Sequence, residues 1–245
     1  MALRIFETDP DSAPKERKFT NDVVGRFRSG RMVGKFPESL EHWRVTTGDP
    51  VVADALSKML GGHPEEWETG GEDGIEILTN SRKVSIIIDQ PTEDRPAISA
   101  KMILWGANGV KIHECDGIEF LDDERRGQPC GCPALLADRK AAAKAGHGPK
   151  PEVSVRFRLF DDPDLGEFRF RSSSWDLVKD LHNIENDLED AHDDGPARAT
   201  LSLELVEFVP KGGPMKGRQV SYRKPVIKVH GAIKPDADED EDVPF

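Results

Sequence analysis

Val153-Ser154-Val155-Arg156-Phe157-Arg158-Leu159 and Phe168-Arg169-Phe170-Arg171 decide how this chain folds. In both stretches apolar and polar side chains alternate with a period of two, the spacing of a β-strand with one buried and one exposed face. Asp164-Leu165-Gly166 lies between them, so they read as a hairpin whose outer face carries arginines. Strands joined in neighbouring hairpins pair antiparallel.

Ser173-Ser174-Trp175 follows and opens a helix, with Trp175, Val178, Leu181, Ile184 and Leu188 at helical spacing and Gly195-Pro196 beyond its end. That stripe reads as core. Residues 199–209 read as a strand, Gly212-Gly213-Pro214 as a loop, and 220–229 as a last strand. Pro225 interrupts it, which an edge position tolerates. On the N-terminal side, residues 84–88 and 97–105 are apolar strand runs. Gly106-Ala107-Asn108-Gly109 makes a hairpin turn, and 110–113 returns along it. Asp49 and Pro50 suit a helix cap and first turn; Val51, Val52, Ala55, Leu56, Met59 and Leu60 form its stripe, and Gly61-Gly62 stops it. Residues 1 to about 36 look irregular, punctuated by Pro10, Pro14, Gly25, Gly30, Gly34 and then Pro37. The expected fold is α+β: an antiparallel β-rich core with a few helices, a zinc-stabilised loop, an irregular N-terminal arm and a disordered acidic tail. The expected divisions are a basic arm at 1–48, a core at 49–234 with the loop at 113–147, and the tail at 235–245.

The 245 residues are 33% charged and 36% hydrophobic, enough for a sizeable core in one large domain or two small ones. No apolar run approaches the roughly 18 residues of a membrane span, and Met1-Ala2-Leu3-Arg4-Ile5-Phe6 soon meets Glu7 and Asp9. A cytoplasmic protein without a signal peptide is expected. The net charge of −12 is uneven, because six acids and no base lie between Asp236 and Asp242. Lys15, Arg17, Lys18, Arg26, Arg28, Arg31, Lys35 and Arg44 make the early segment basic, with Phe6, Phe19, Phe27 and Phe36 scattered among them. Opposite charges on one chain suggest charge-matched partners, each other included; a plain solvated surface is the alternative.

All three cysteines fall in one region. His113-Glu114-Cys115 is followed by Cys130-Gly131-Cys132. Two close pairs of soft or borderline ligands match a closed tetrahedral zinc site, His113, Cys115, Cys130 and Cys132, with His147 in reserve. Gly131 permits a tight turn, and the loop between, with Asp122, Asp123, Glu124, Arg125 and Arg126, is too polar to order itself. Buried free cysteines near a strand end are the other reading. Catalysis is not expected, since four protein ligands leave no position for water and the H-x-E…P-C-x-x-C pattern of zinc deaminases is not matched. H-E-x-x-H, G-x-S-x-G and phosphate-loop motifs are missing too, so no enzyme is expected.

The tail ends Asp240-Glu241-Asp242-Val243-Pro244-Phe245. Its acids favour an extended solvated chain; its last ring could enter an apolar pocket while the acids meet a basic rim. A merely solubilising tail is the alternative. The ending resembles the acidic tip of bacterial single-stranded-DNA-binding proteins, which recruits replication and repair enzymes. The body lacks the aromatic-rich strands of that family and has one tyrosine.

Nearly end to end, the chain resembles another family, the recombination directionality factors that partner large serine integrases in actinobacterial temperate phages. The likeness lies in Leu3-Arg4-Ile5-Phe6-Glu7-Thr8-Asp9, Asp22-Val23-Val24-Gly25-Arg26-Phe27, the His113/Cys115/Cys130/Cys132 region and Phe168-Arg169-Phe170-Arg171-Ser172-Ser173-Ser174-Trp175. It implies a non-enzymatic adaptor that binds the integrase, through the integrase's coiled-coil arm, and switches it from integration to prophage excision. Arg26, Phe27, Arg28, Arg156, Arg158, Arg169 and Arg171 are the candidate integrase contacts. A replication accessory protein that binds single-stranded DNA and recruits host enzymes through its tail is the alternative, with direct DNA contact left open.

Overall fold

The computed structural model describes residues 23–33, 36–67, 73–107, 109–212 and 216–233. Among them, eleven strands form one sheet in the order β11-β10-β5-β8-β9-β1-β2-β4-β3, with β6 paired to β8 and β7 to β6. The strands are β1 (Gly25–Val33), β2 (Phe36–Thr47), β3 (Pro64–Glu66), β4 (Ile75–Leu78), β5 (Lys83–Ile88), β6 (Ile98–Trp105), β7 (Lys111–Cys115), β8 (Lys150–Leu159), β9 (Glu167–Ser172), β10 (Ala197–Phe208) and β11 (Val220–Ala232). Three helices join them: α1 (Pro50–Leu60), α2 (Leu136–Lys144) and α3 (Trp175–His192). The α+β, antiparallel reading holds: every pairing is antiparallel except β1 with β9.

The hairpin of alternating residues is the centre of the sheet. β8 and β9 pair in the register Phe157↔Phe168 and Arg156↔Arg169, joined by a turn of 3-10 helix at Pro163–Leu165. Phe157, Phe168 and Phe170 are buried, as are Val155 and Leu159. They share one core with Val52, Ala53 and Leu56 of α1 and Leu177, Ile184, Leu188 and Ala191 of α3. Asp49 caps α1 by accepting from the Val51 N–H at 2.8 Å, and Ser174 caps α3 by accepting from the Leu177 N–H. Pro225 does sit on an edge strand of this order, opposite Leu203.

The N-terminal region departs from expectation at Gly25. Residues 25–33 and 36–47 are not an irregular arm but β1 and β2, and β1 lies between β9 and β2. The glycines taken as punctuation have packing roles. A Cβ on Gly25 would stand 2.9 Å from Phe168 Cε1, and one on Gly30 would stand 2.7 Å from the Glu38 carbonyl oxygen, where the β1–β2 register shifts. Glycine within a strand can mark a bulge or a close approach of backbone rather than a turn. Lys15, Arg17, Lys18, Lys35, Phe6, Phe19 and the whole tail from 235 lie outside the described residues, as does the Phe36 side chain.

The edge strand β11 is tied by polar contacts to β2 and to α3. The Ser39 hydroxyl and Arg223 backbone link β2 to β11. On the other side of β11, the Tyr222 hydroxyl donates to Asp176 at the start of α3, 2.8 Å away. That bond, with Lys179, holds the Asp176 carboxyl below its ordinary range. A depressed folded-state value means its stabilisation is present above the unfolded value near 4 and disappears as pH falls through the folded one. Tyr222→Phe is therefore expected to lower unfolding free energy by about 1.5 kcal/mol at pH 7, and by much less at about pH 2. Urea unfolding at the two pH values measures this; an equal loss at both would show that the charged acceptor is not what matters.

Candidate functional site

The cysteine–histidine cluster assembles as the spacing implied. Strand alternation puts His113 and Cys115 on one face of β7. Cys115 is fully buried, and Met102, Phe120 and Trp175 pack about the cluster. The loop after β7 is a bracket that carries the chain back. Asp116 Oδ1 accepts from the Ile118 and Glu119 N–H groups, each at 2.7 Å, Phe120 N–H donates to the Gln128 carbonyl, and Cys130 N–H donates to the Ile118 carbonyl. Gly131, at φ +71°, then turns Cys132 inward.

The ligand atoms of His113, Cys115, Cys130 and Cys132 all lie within 4.8 Å of one another. Cys115 Sγ is 3.7 Å from Cys132 Sγ, and Cys132 Sγ is 3.5 Å from His113 Nε2. A disulfide would bring sulfurs to about 2 Å. Ligands at about 2.3 Å (sulfur) and 2.0 Å (nitrogen) from a tetrahedral ion would be separated by roughly 3.5–3.8 Å, so these four residues can hold a metal ion. Burial pushes the Cys115 thiol up to about 12 and raises that of Cys132, while burial and Arg125 lower His113. Neutral imidazole is a ready ligand; the thiols need a cation before they give up their protons. Arg125 lies 3.9 Å over the Phe120 ring, and that ring lies 4.8 Å from the His113 ring, so the imidazole is fixed from behind. Helix α2, within the loop, was not legible in the sequence because its face is barely amphipathic: only Ala143 is buried. His147 is exposed and stands apart from the cluster.

Glu114, between His113 and Cys115 in sequence, lies on the other face of β7. It pairs with Lys101 at 2.7 Å and with Lys111, and those bonds lower its carboxyl. A general base must reach the reacting water; this carboxylate is held on the opposite side of the strand.

The candidate partner residues have two fates. Phe27 is 1% exposed and sits edge-on to Trp43, Phe157 and Phe168 at 5.9, 5.3 and 5.7 Å. It belongs to the core and offers nothing to a partner. The arginines are brought together. Arg156, Arg169 and Arg26 stand in register across β8, β9 and β1, and Arg158, Arg171 and Arg28 flank them on the same outer face. Arg44 of β2 joins them opposite Arg28. Asp73 pairs with Arg26, Glu76 with Arg44 at 2.5 Å, Glu167 with Arg156 at 2.6 Å and Asp89 with Arg158 at 2.5 Å. Trp67 covers one end, 4.3 Å beneath Arg44 and 5.9 Å beneath Arg28. Burial and then Arg171, Arg26 and Arg156 push Arg169 down to about 10. Trp67, Asp73 and Glu76, which order this face, were missed because the Gly-rich acidic segment around them reads as loop. Asp240, Glu241, Asp242, Val243, Pro244 and Phe245 lie outside the described residues.

Among the described residues no helix is long and apolar enough to cross a membrane. No solved structure matches the chain. A family model described as Gp3-like, recombination directionality factor-like, matches residues 24–229. That span covers the sheet up to Val229, the cysteine–histidine cluster and the arginine face, and by it the chain belongs to the Gp3-like, recombination directionality factor-like family.

Proposed function

We propose that this chain binds a large serine integrase and switches it from integration to prophage excision, itself breaking no bonds. The family match over residues 24–229 carries the reading; a cluster of four protein side chains that could share one ion, with Glu114 beside it tied to Lys101 and Lys111, supports a binding role over a chemical one. The mechanism is differential affinity. A factor that bound both synaptic arrangements equally would shift nothing, whereas a preference of about 3 kcal/mol changes the product ratio more than a hundredfold. The integrase's coiled-coil arm is the partner segment, and the metal is zinc in a structural role, tying the 116–130 bracket to β7. The tail makes a second contact, with replication or repair proteins.

The test is a purified recombination assay. Integrase alone is expected to join the phage and bacterial attachment sites. Adding this protein and nothing else is expected to suppress that reaction and make the left and right prophage sites recombine. Unchanged site preference at saturating protein would remove the proposal. Salt-sensitive binding to single-stranded DNA without integrase would favour the replication reading instead.

A further inference from the structure

A cleft of about 470 Å³ opens where β6, β8 and β9 meet the end of α2. Part of its lining is apolar: Ile103 and Pro151 are buried there, while Trp105 is 56% exposed. Arg171 and Lys150 line it as well, and both are exposed. Among the described residues neither of these two cations has a carboxylate partner, whereas Arg26, Arg44 and Arg158 on the same sheet face are each paired. We infer that this cleft binds a free nucleotide, with the base against the Trp105 indole and the phosphate between Arg171 and Lys150.

The lining has the chemistry such a ligand needs. A cation on an open surface holds an anion weakly, because water and salt screen the pair. Beside an apolar wall the same attraction runs through less water and is stronger. Two cations on one cavity suit a phosphate of nearly two negative charges, and an exposed indole offers a face on which any base can stack. The Ser173 hydroxyl and the Glu152 carboxylate, which lies 4.0 Å from Lys101, also line the cleft and can meet the donors of a base or sugar. A cavity of a few hundred Å³ with apolar walls and a small number of polar groups is the usual form of a small-ligand site.

The α2 side of the cleft is held in place without a ligand. Ala145 N–H donates to the Ala141 carbonyl and Gly148 N–H to the Ala142 carbonyl, each at 3.0 Å. A Cβ on Gly148 would stand 2.6 Å from the Ala142 Cβ, so glycine is what lets the chain lie against the helix end. A wall already ordered lowers the cost of binding. A polyanion would meet the same groups, but the net charge of −12 repels it along its length and repels a single nucleotide far less. The inference goes beyond the integrase reading and does not depend on it: loss of nucleotide binding would leave the recombination assay unchanged, and the reverse.

The experiment titrates the full wild-type chain with deoxyadenosine 5′-monophosphate, followed by calorimetry. One-to-one saturation is expected, with Kd below about 1 mM. Deoxyadenosine, which lacks the phosphate, and inorganic phosphate, which lacks the base, are each expected to bind about tenfold more weakly or worse. Arg171→Glu is expected to weaken the nucleotide by about tenfold and Trp105→Ala by about fivefold, with the melting temperature of each unchanged. Lys83→Glu, at an exposed cation of β5 outside the cleft, should leave affinity as it is. No saturation by about 10 mM nucleotide, or equal affinity in wild type and Arg171→Glu, overturns the inference. So does inorganic phosphate that binds as tightly as the nucleotide, since the site would then take any anion. So does a deoxyadenosine strand of about twelve nucleotides that binds more than tenfold tighter than the monomer; the cleft would then serve a strand rather than a free nucleotide.

Discussion

Phe27→Ala is expected to lower the unfolding free energy by about 3–5 kcal/mol, the cost of deleting a buried aromatic side chain and leaving its cavity. Phe27 is the ring that joins three others: Trp43 from β2, Phe157 from β8 and Phe168 from β9 meet it edge-on. Such pairs add roughly 0.5–1.5 kcal/mol beyond the buried area. The neighbours cannot close the gap easily, since Trp43, Phe157 and Phe168 are themselves almost wholly buried and held by strand pairing on both sides. In a chain of this size the loss corresponds to roughly 10 °C of melting temperature. A residue reserved for a partner would behave otherwise: exposed substitutions usually stay within about 0.5 kcal/mol. Denaturant unfolding of the full chain separates the two, and an unmoved midpoint would take Phe27 out of the core.

Protein prepared without chelator is expected to contain one zinc per chain, and Cys132→Ser is expected to lose it. Removing a direct ligand should exceed the 10–100-fold that outer-shell changes cost. The effect is local, because the cluster packs with Met102, Phe120 and Trp175 apart from the main core. Chelation should expose the amides that build the bracket, those of Ile118, Phe120 and Cys130, while the amides of β8 and β9 keep their protection. Hydrogen exchange read residue by residue shows this. Full protection of the bracket after chelation, or protein free of zinc from the start, would sink the structural-zinc reading.

The chain itself displays much of this. Alternation over 153–159 and 168–171 gave a hairpin in the right place, because one buried face and one wet face leave a period-two record in residue type. The caps at Asp49 and Ser174 are legible for a similar reason: a side-chain oxygen before a helix has a local task. The four ligands were legible because their chemistry is rare and their pairs are close in sequence. β1 was not, although Arg26-Phe27-Arg28 has the same alternation as β9. Gly25 and Gly30 beside it look like turns, and only the positions of Phe168 and the Glu38 carbonyl show that they are contacts. β4 and Trp67 were hidden by the glycines and acids between them.

By itself, then, the sequence determined where the strands from residue 84 onward lie, where two helices begin, which four side chains could share an ion, and that charge is divided between an arginine-faced hairpin and an acidic tail. These are local properties, written in period, cap and composition. The tertiary structure decided the partners. It inserted β1 between β9 and β2, the one parallel pairing. It sent Phe27 inward and its two arginine neighbours outward, beside five more from strands far apart in the chain. It turned Glu114 from the ligands toward Lys101. The physical reason is that alternation fixes that a strand has two faces, while the choice of which face meets which neighbour is made by burial, when distant strands compete to cover the same apolar surface.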